Sequence, residues 1–348
     1  MENSSHNLRG FYLFNIVFTC VLTYLIFMDV ILYFRIQNYP FRMENNTEIM
    51  DYYSEYSPIK YVTVKGVLLD HVNLFIISPL VKMFDSIFNV SSMSFITPNM
   101  ISASHVFVAA IAGKCVASHS LKTRRIGAVI FEIRTFLDGL DGHVARTREN
   151  LHGERSVVGS MGYIVDGICD FLGIFFLTIG LLTFLKKHKN VSRWEYLPLQ
   201  SSSGSKLDFA DSYKVKMYKK RLWLTLGCIV GQFVLSSAAW NRYIAVYQNL
   251  LEKRDASPFV QGKEVEVFRS NYFLFIAFLW RLCNIHSYLH LILVAIVYNK
   301  VLEFFKIIKL VGFALLLSVI CFTEIHILLL KEFMSSFTIL FYQNNTSI

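Results

Sequence analysis

Charge is scarce in this chain: Asp, Glu, Lys and Arg together make up 17% of its 348 residues, against roughly a quarter in soluble domains. With 54% hydrophobic residues and a mean hydropathy of +0.45, that deficit excludes an ordinary soluble domain. Short segments of alternating hydrophobicity are missing too, which excludes a membrane β-barrel. All six cysteines (Cys20, Cys115, Cys169, Cys228, Cys283, Cys321) fall inside apolar stretches. There they behave as small hydrophobes, so neither a disulfide framework nor a Cys-ligated zinc site is expected. No small-residue cleavage site follows the first apolar stretch, which is also too long for a secretory leader and reads as a signal anchor.

What the chain does have is long apolar runs. About 20 apolar residues cross a bilayer, and runs of that order fall at 11–34, 99–118, 126–146, 157–185, 222–247, 272–298 and 303–330. They predict an all-α polytopic membrane protein with seven spans. The segment 35–97 carries an amphipathic run near 72–88, where an interfacial helix is expected.

The basic residues are unevenly placed. Lys122, Arg124 and Arg125 precede the third span, ten Lys and Arg lie between Lys186 and Arg221, and Lys300, Lys306 and Lys309 lie between the last two spans. Seven spans put these clusters and the N-terminus on one side, which the positive-inside rule makes cytosolic. They read as solvated loops with some attraction to anionic lipid; no nucleic-acid partner is expected. The other side receives 35–95, 147–156, 248–271 and the C-terminus, with glycosylation triplets beginning at Asn45, Asn89, Asn344 and Asn345. Such triplets mark lumenal segments, while the one at Asn190 falls on the basic side and should be unused.

Against this background four aspartates stand out. Asp138 and Asp141 are three apart on one span, with Gly139 and Gly142 beside them. On the next span Gly162, Asp166 and Asp170 recur at four-residue steps. Residues at these spacings share a helix face, and ionisable residues at membrane depth are functional candidates. Two antiparallel helices would bring the stripes together, where like charges oppose joint ionisation. Divalent cations relieve that repulsion, and an all-oxygen donor set suits Mg²⁺, Mn²⁺ or Ca²⁺. Arg146 adds a bidentate phosphate ligand. Metal-assisted phosphate chemistry, a cation path in a transporter, and aspartates paired structurally with basic residues such as Arg134 all remain open on spacing alone.

The order Asp138-x-x-Asp141-Gly142-x-x-Ala145-Arg146, then Gly162-x-x-x-Asp166-x-x-x-Asp170, resembles the signature of the CDP-alcohol phosphotransferases at all eight fixed positions. Pro98-Asn99 resembles the start of that family's first core helix. The gap of fifteen residues at 147–161 is longer than is usual in the family; extra residues in a turn are tolerated cheaply. The resemblance implies a six-helix core over 98–331; outside it, the apolar run and the topology give a cytosolic N-terminus and anchor at 1–35, a lumenal segment at 36–97 and a lumenal tail at 332–348. It implies that Asp138, Asp141, Asp166 and Asp170 hold two metal ions, with Asp170 also the general base. It further implies that Asn99, Gly142, Ala145, Arg146 and Gly162 bind the CDP-alcohol. An alcohol would attack the β-phosphate and CMP would leave. Family members often form homodimers.

Family membership leaves the two alcohols open. The inferred topology turns the aspartates toward the lumen, unlike the familiar relatives that make glycerophospholipids on the cytosolic face. The chain as a whole resembles the branch that uses CDP-ethanolamine as donor and ceramide from the bilayer as acceptor. That resemblance implies Mn²⁺ (or Mg²⁺) as cofactor and the Golgi membrane as location. A choline- or ethanolaminephosphotransferase acting on diacylglycerol is the alternative. Arg281, Asn284, His286 and His290 in the run 272–298 are candidate substrate contacts.

Overall fold

Helix is the dictated backbone here, because in lipid every peptide group must find its partner within the segment. The computed structural model describes residues 2–38, 54, 56–151, 161–195, 204–252 and 258–345, and among them there is no strand. The helices are α1 (Glu2–Asn38), α2 (Val64–Leu68), α3 (Ser78–Phe88), α4 (Pro98–Val116), α5 (Leu121–Arg148), α6 (Met161–Glu195), α7 (Gly204–Leu251), α8 (Pro258–Arg269), α9 (Asn271–Cys283), α10 (Ile285–Val297), α11 (Val301–Ile307) and α12 (Phe313–Asn345). Short π-helical segments at Asn73–Ile77 and Ile308–Gly312 lead into α3 and α12.

Among the described residues five helices are long and apolar enough to cross a membrane, and the pair α9–α10 makes a sixth if it counts as one span. The chain is an all-α polytopic membrane protein. Three sequence expectations need correction. The run 272–298 is not one straight helix: it bends by 44° between α9 and α10. Asn284 causes the break, leaving helical geometry to cap α10 by accepting from the Ser287 amide at 2.9 Å. The expected span 126–146 lies within α5, which is long enough at 28 residues but carries Glu132, Arg134, Asp138 and Asp141 and so is not an ordinary apolar span. Finally, the basic stretch after 185 is not simply a loop. The backbone stays helical to Glu195 and is helical again from Gly204, in keeping with the good helix propensity of Lys and Arg.

Three buried clusters organise the bundle. One joins α4, α5, α6, α7 and α10 through Ala112, Phe131, Leu181, Phe233 and Ile292. A second joins the end of α1 and the segment 59–75 to α7, α9 and α12, around Trp240, Tyr247 and Trp280. A small third cluster, including Ile77, Val81, Ile101 and Leu140, seats α3 against α4 and α5. Gly139 serves that seat, since a Cβ there would lie 3.0 Å from Ile77 and 3.4 Å from Val81.

Helices α4 and α6 meet almost backbone to backbone. A Cβ on Gly113 would strike the Phe176 carbonyl, and one on Gly180 would strike the Gly113 carbonyl. Small residues at such crossings are how membrane helices gain close van der Waals contact. This contact fixes α6, and with it the second aspartate pair, against the first core helix.

The two ends of the bundle are tied by arginines. At one end Arg124 donates to Asn299 Oδ1 at 2.7 Å, and Arg125 donates to the Val297 carbonyl at 3.0 Å. At the other, Arg148 donates to the carbonyls of Ser91, Met93 and Ile96 at 2.8–3.0 Å. Helix α1 is largely exposed and docks through Asp29, which bonds the buried Arg281 and lies 2.7 Å from His71.

Candidate functional site

The aspartates come from two helices, and a third completes the site. Asp138 and Asp141 on α5 face Asp166 and Asp170 on α6, and all four line one cavity of about 530 Å³. Ligand atoms of Asp138, Asp166, Asp170 and His105 lie within 4.8 Å of one another. His105 comes from α4 and is wholly buried. Asp141 stands at the edge of this group, where its Oδ2 accepts from Ser102 Oγ at 2.6 Å.

Arg134 lies one turn before Asp138 on α5 and is 1% exposed. Its guanidinium donates to Asp170 across the helix interface and lies 3.6 Å from Asp138. Gly173 makes the room: a Cβ there would approach Arg134 Nε to 3.0 Å. One guanidinium offsets only part of the charge of four facing carboxylates, and the remaining repulsion is severe away from water. The donor set suits a divalent cation. Asp166 Oδ1 and both His105 ring nitrogens are buried with no hydrogen-bond partner among the described residues, and buried polar atoms ordinarily have one. The buried acid–histidine cluster thus has the chemistry to bind a metal ion.

The same cavity collects groups suited to phosphate. Lys65, His143 and Arg146 line it together with Gly142. A Cβ at Gly142 would lie 3.1 Å from Arg146 Nη1, so the glycine leaves space for that guanidinium. The remaining expected donor-binding residues stand apart: Asn99 and Gly162 are exposed, Ala145 is half-buried, and none of the three lines the cavity.

The candidates in 272–298 divide. His286 lines the cavity, edge-on to Trp240 at 6.0 Å. Arg281 is buried in bonds to Asp29 and the Leu69 carbonyl and lies over the Phe75 ring at 4.7 Å. Asn284 caps α10. His290 bonds Glu132 at 2.9 Å, lies 3.5 Å from Asp70, and faces a different, apolar cavity bordered by α1. Sequence reasoning missed His105, Ser102, Gly173 and Lys65. Ser102 and His105 do share a helix face, but only the fold shows that this face meets the aspartates.

Comparisons with known proteins identify the family. A family model described as ceramide phosphoethanolamine synthase matches residues 5–337. The ceramide phosphoethanolamine synthase of Drosophila melanogaster is 46% identical over 274 residues, covering 78% of this chain and 69% of that protein. No solved structure matches the chain. With the family model spanning nearly all of its length, the chain belongs to the ceramide phosphoethanolamine synthase family.

Proposed function

We propose that this chain transfers phosphoethanolamine from CDP-ethanolamine to the primary hydroxyl of ceramide, giving ceramide phosphoethanolamine and CMP. The observation that carries this reading is the meeting of Asp138, Asp166 and Asp170 with Arg134 in one cavity, in a chain of this family. Asp138, Asp141, Asp166 and Asp170 would hold two divalent ions, Mn²⁺ or Mg²⁺, which when bound neutralise charge on the reacting phosphates. Arg146 and Lys65 line the cavity where the diphosphate is held. Asp170, anchored by Arg134, accepts the proton of the ceramide C1 hydroxyl. The alkoxide oxygen forms a bond to the phosphorus bearing ethanolamine. The bond from that phosphorus to the bridging oxygen breaks, and CMP leaves with the electron pair. This route needs positioning and charge neutralisation but no covalent enzyme intermediate.

A lipid acceptor suits the cavity's other wall. Phe171 and Ile174 on α6 face Val230, Phe233 and Val234 on α7, and Phe171, Val230 and Val234 are exposed on the outside of the bundle. A ceramide hydroxyl can arrive sideways from the bilayer while its chains stay in lipid.

We place the site on the lumenal side of the Golgi membrane. Asp138 lies about 15 Å of helix from Arg148 and about 21 Å from Arg124. The Arg148 end gathers 89–97, and the Arg124 end gathers the turn with Lys300. This arrangement supports keeping the basic turns together on the cytosolic side. Purified protein given CDP-ethanolamine, ceramide and Mn²⁺ should release one CMP per ceramide phosphoethanolamine formed, and Asp170→Asn should release none. CMP release without ceramide, or a fully active Asp170→Asn, would overturn the reading.

A further inference from the structure

Of the residues around the aspartates, His105 is the one that the bonding within the cluster leaves unexplained. It sits one turn after Ser102 on α4, is 0% exposed, and neither ring nitrogen has a hydrogen-bond partner among the described residues. Its Nε2 lies 3.9 Å from Asp138 Oδ1 and 3.8 Å from Asp141 Oδ2. Those distances are too long for hydrogen bonds. They are short enough for one cation to reach both atoms, since two ligand bonds of about 2.0–2.3 Å span at most about 4.6 Å. A neutral histidine kept for packing would gain nothing from a place among four carboxylates. Burying an imidazole with both nitrogens unsatisfied costs about 1–3 kcal/mol.

We propose that His105 is a nitrogen ligand of the metal centre, and that it biases the site toward a transition-metal ion such as Mn²⁺ over Mg²⁺. The proposal rests on the metal-dependent reading given above. Mg²⁺ is a hard ion that prefers oxygen donors and keeps its waters. Imidazole is a softer donor, taken up more readily by first-row transition ions. Three carboxylates alone would serve Mg²⁺ well; replacing one oxygen of the donor set by His105 Nε2 or Nδ1 shifts the preference. The eight-position motif contains no histidine, so this ligand adds to the motif's own donors.

Electron spin-echo spectroscopy on the Mn²⁺-loaded full-length protein tests this without measuring activity. A ¹⁴N coupling on Mn²⁺ is expected, replaced by the ¹⁵N pattern when the protein is grown with ¹⁵N-histidine. The coupling should vanish in His105→Leu and persist in His286→Asn and in His143→Asn, which remove the two histidines that line the cavity. His105→Leu should also weaken Mn²⁺ binding about tenfold or more while changing Mg²⁺ binding less. Labelling keeps the test valid if His105→Leu fails to fold. Bound Mn²⁺ with no histidine coupling would overturn the ligand and leave the metal site standing. Coupling lost in His286→Asn or His143→Asn instead would also overturn it. Failure of the wild-type protein to bind Mn²⁺ at all would overturn the metal-dependent reading itself.

Discussion

Arg134 of α5 donates to Asp170 of α6, and the same guanidinium lies 3.6 Å from Asp138, one turn along its own helix. This arginine therefore holds one carboxylate from each side of the cluster. Removing one partner of a buried pair costs about 3–5 kcal/mol. Arg134→Gln should lower the thermal stability of the detergent-solubilised protein and reduce turnover about a hundredfold or more. Arg134→Lys keeps the charge but not the fork and should recover part of the stability and less of the turnover. Full activity in Arg134→Gln would show that Asp170 needs no anchor.

The backbone crossing of α4 and α6 gives a second prediction. Gly113→Leu and Gly180→Leu each push a side chain into the opposite helix's carbonyl. Overpacking of this kind costs about 1–3 kcal/mol even where neighbours can move, and a backbone cannot move aside cheaply. Both variants should show early unfolding by fluorescence-detected chromatography. Gly227→Leu, at a position where an added Cβ would meet no atom within 4 Å, should be tolerated.

Asp85 gives a pH dependence. It lies on α3, outside the spanning helices, and accepts from the Ser91 amide at 2.8 Å, from the Ser91 hydroxyl at 2.7 Å, and lies 3.1 Å from His143 Nε2. Burial pushes its carboxyl up, but the Ser91 bonds and His143 outweigh that and hold it below its ordinary value. A carboxyl lowered in the folded state stabilises above its unfolded pKa of about 3.9, and that contribution is lost as pH falls through the lower folded value. Asp85→Asn should therefore cost about 2 kcal/mol near neutral pH and progressively less below about pH 4. Thermal melts across that range check it. An equal cost at every pH would mean that the charge on Asp85 plays no part.

How much of this was legible in the chain follows from the range of each interaction. The aspartate stripes were readable because spacings of three and four are helix geometry, and they do meet in one cavity. The break at Asn284 was hidden inside an apolar run, and its capping role shows only in the turn it makes. Arg281 reads from sequence as a functional charge, yet its partner Asp29 is 252 positions away on the anchoring helix. His105 is the reverse case, an unremarked histidine in an apolar helix whose significance comes from partners 33 or more positions later.

The lumenal placement can be checked by glycan mapping. Asn45→Gln should remove a glycosidase-sensitive mass shift, and Asn190→Gln should leave the shift unchanged. Asn89 is a weaker acceptor, because it caps α3 in a left-handed conformation and Ser91 is engaged by Asp85. A glycan on Asn190 would turn the site to the cytosol.

Acceptor choice tests the account most directly. Purified protein with CDP-ethanolamine and Mn²⁺ should be offered ceramide and diacylglycerol together in mixed micelles, and both phosphoethanolamine products quantified. The account predicts that ceramide phosphoethanolamine predominates, with CMP matching the total product. Equal or greater conversion of diacylglycerol would contradict it.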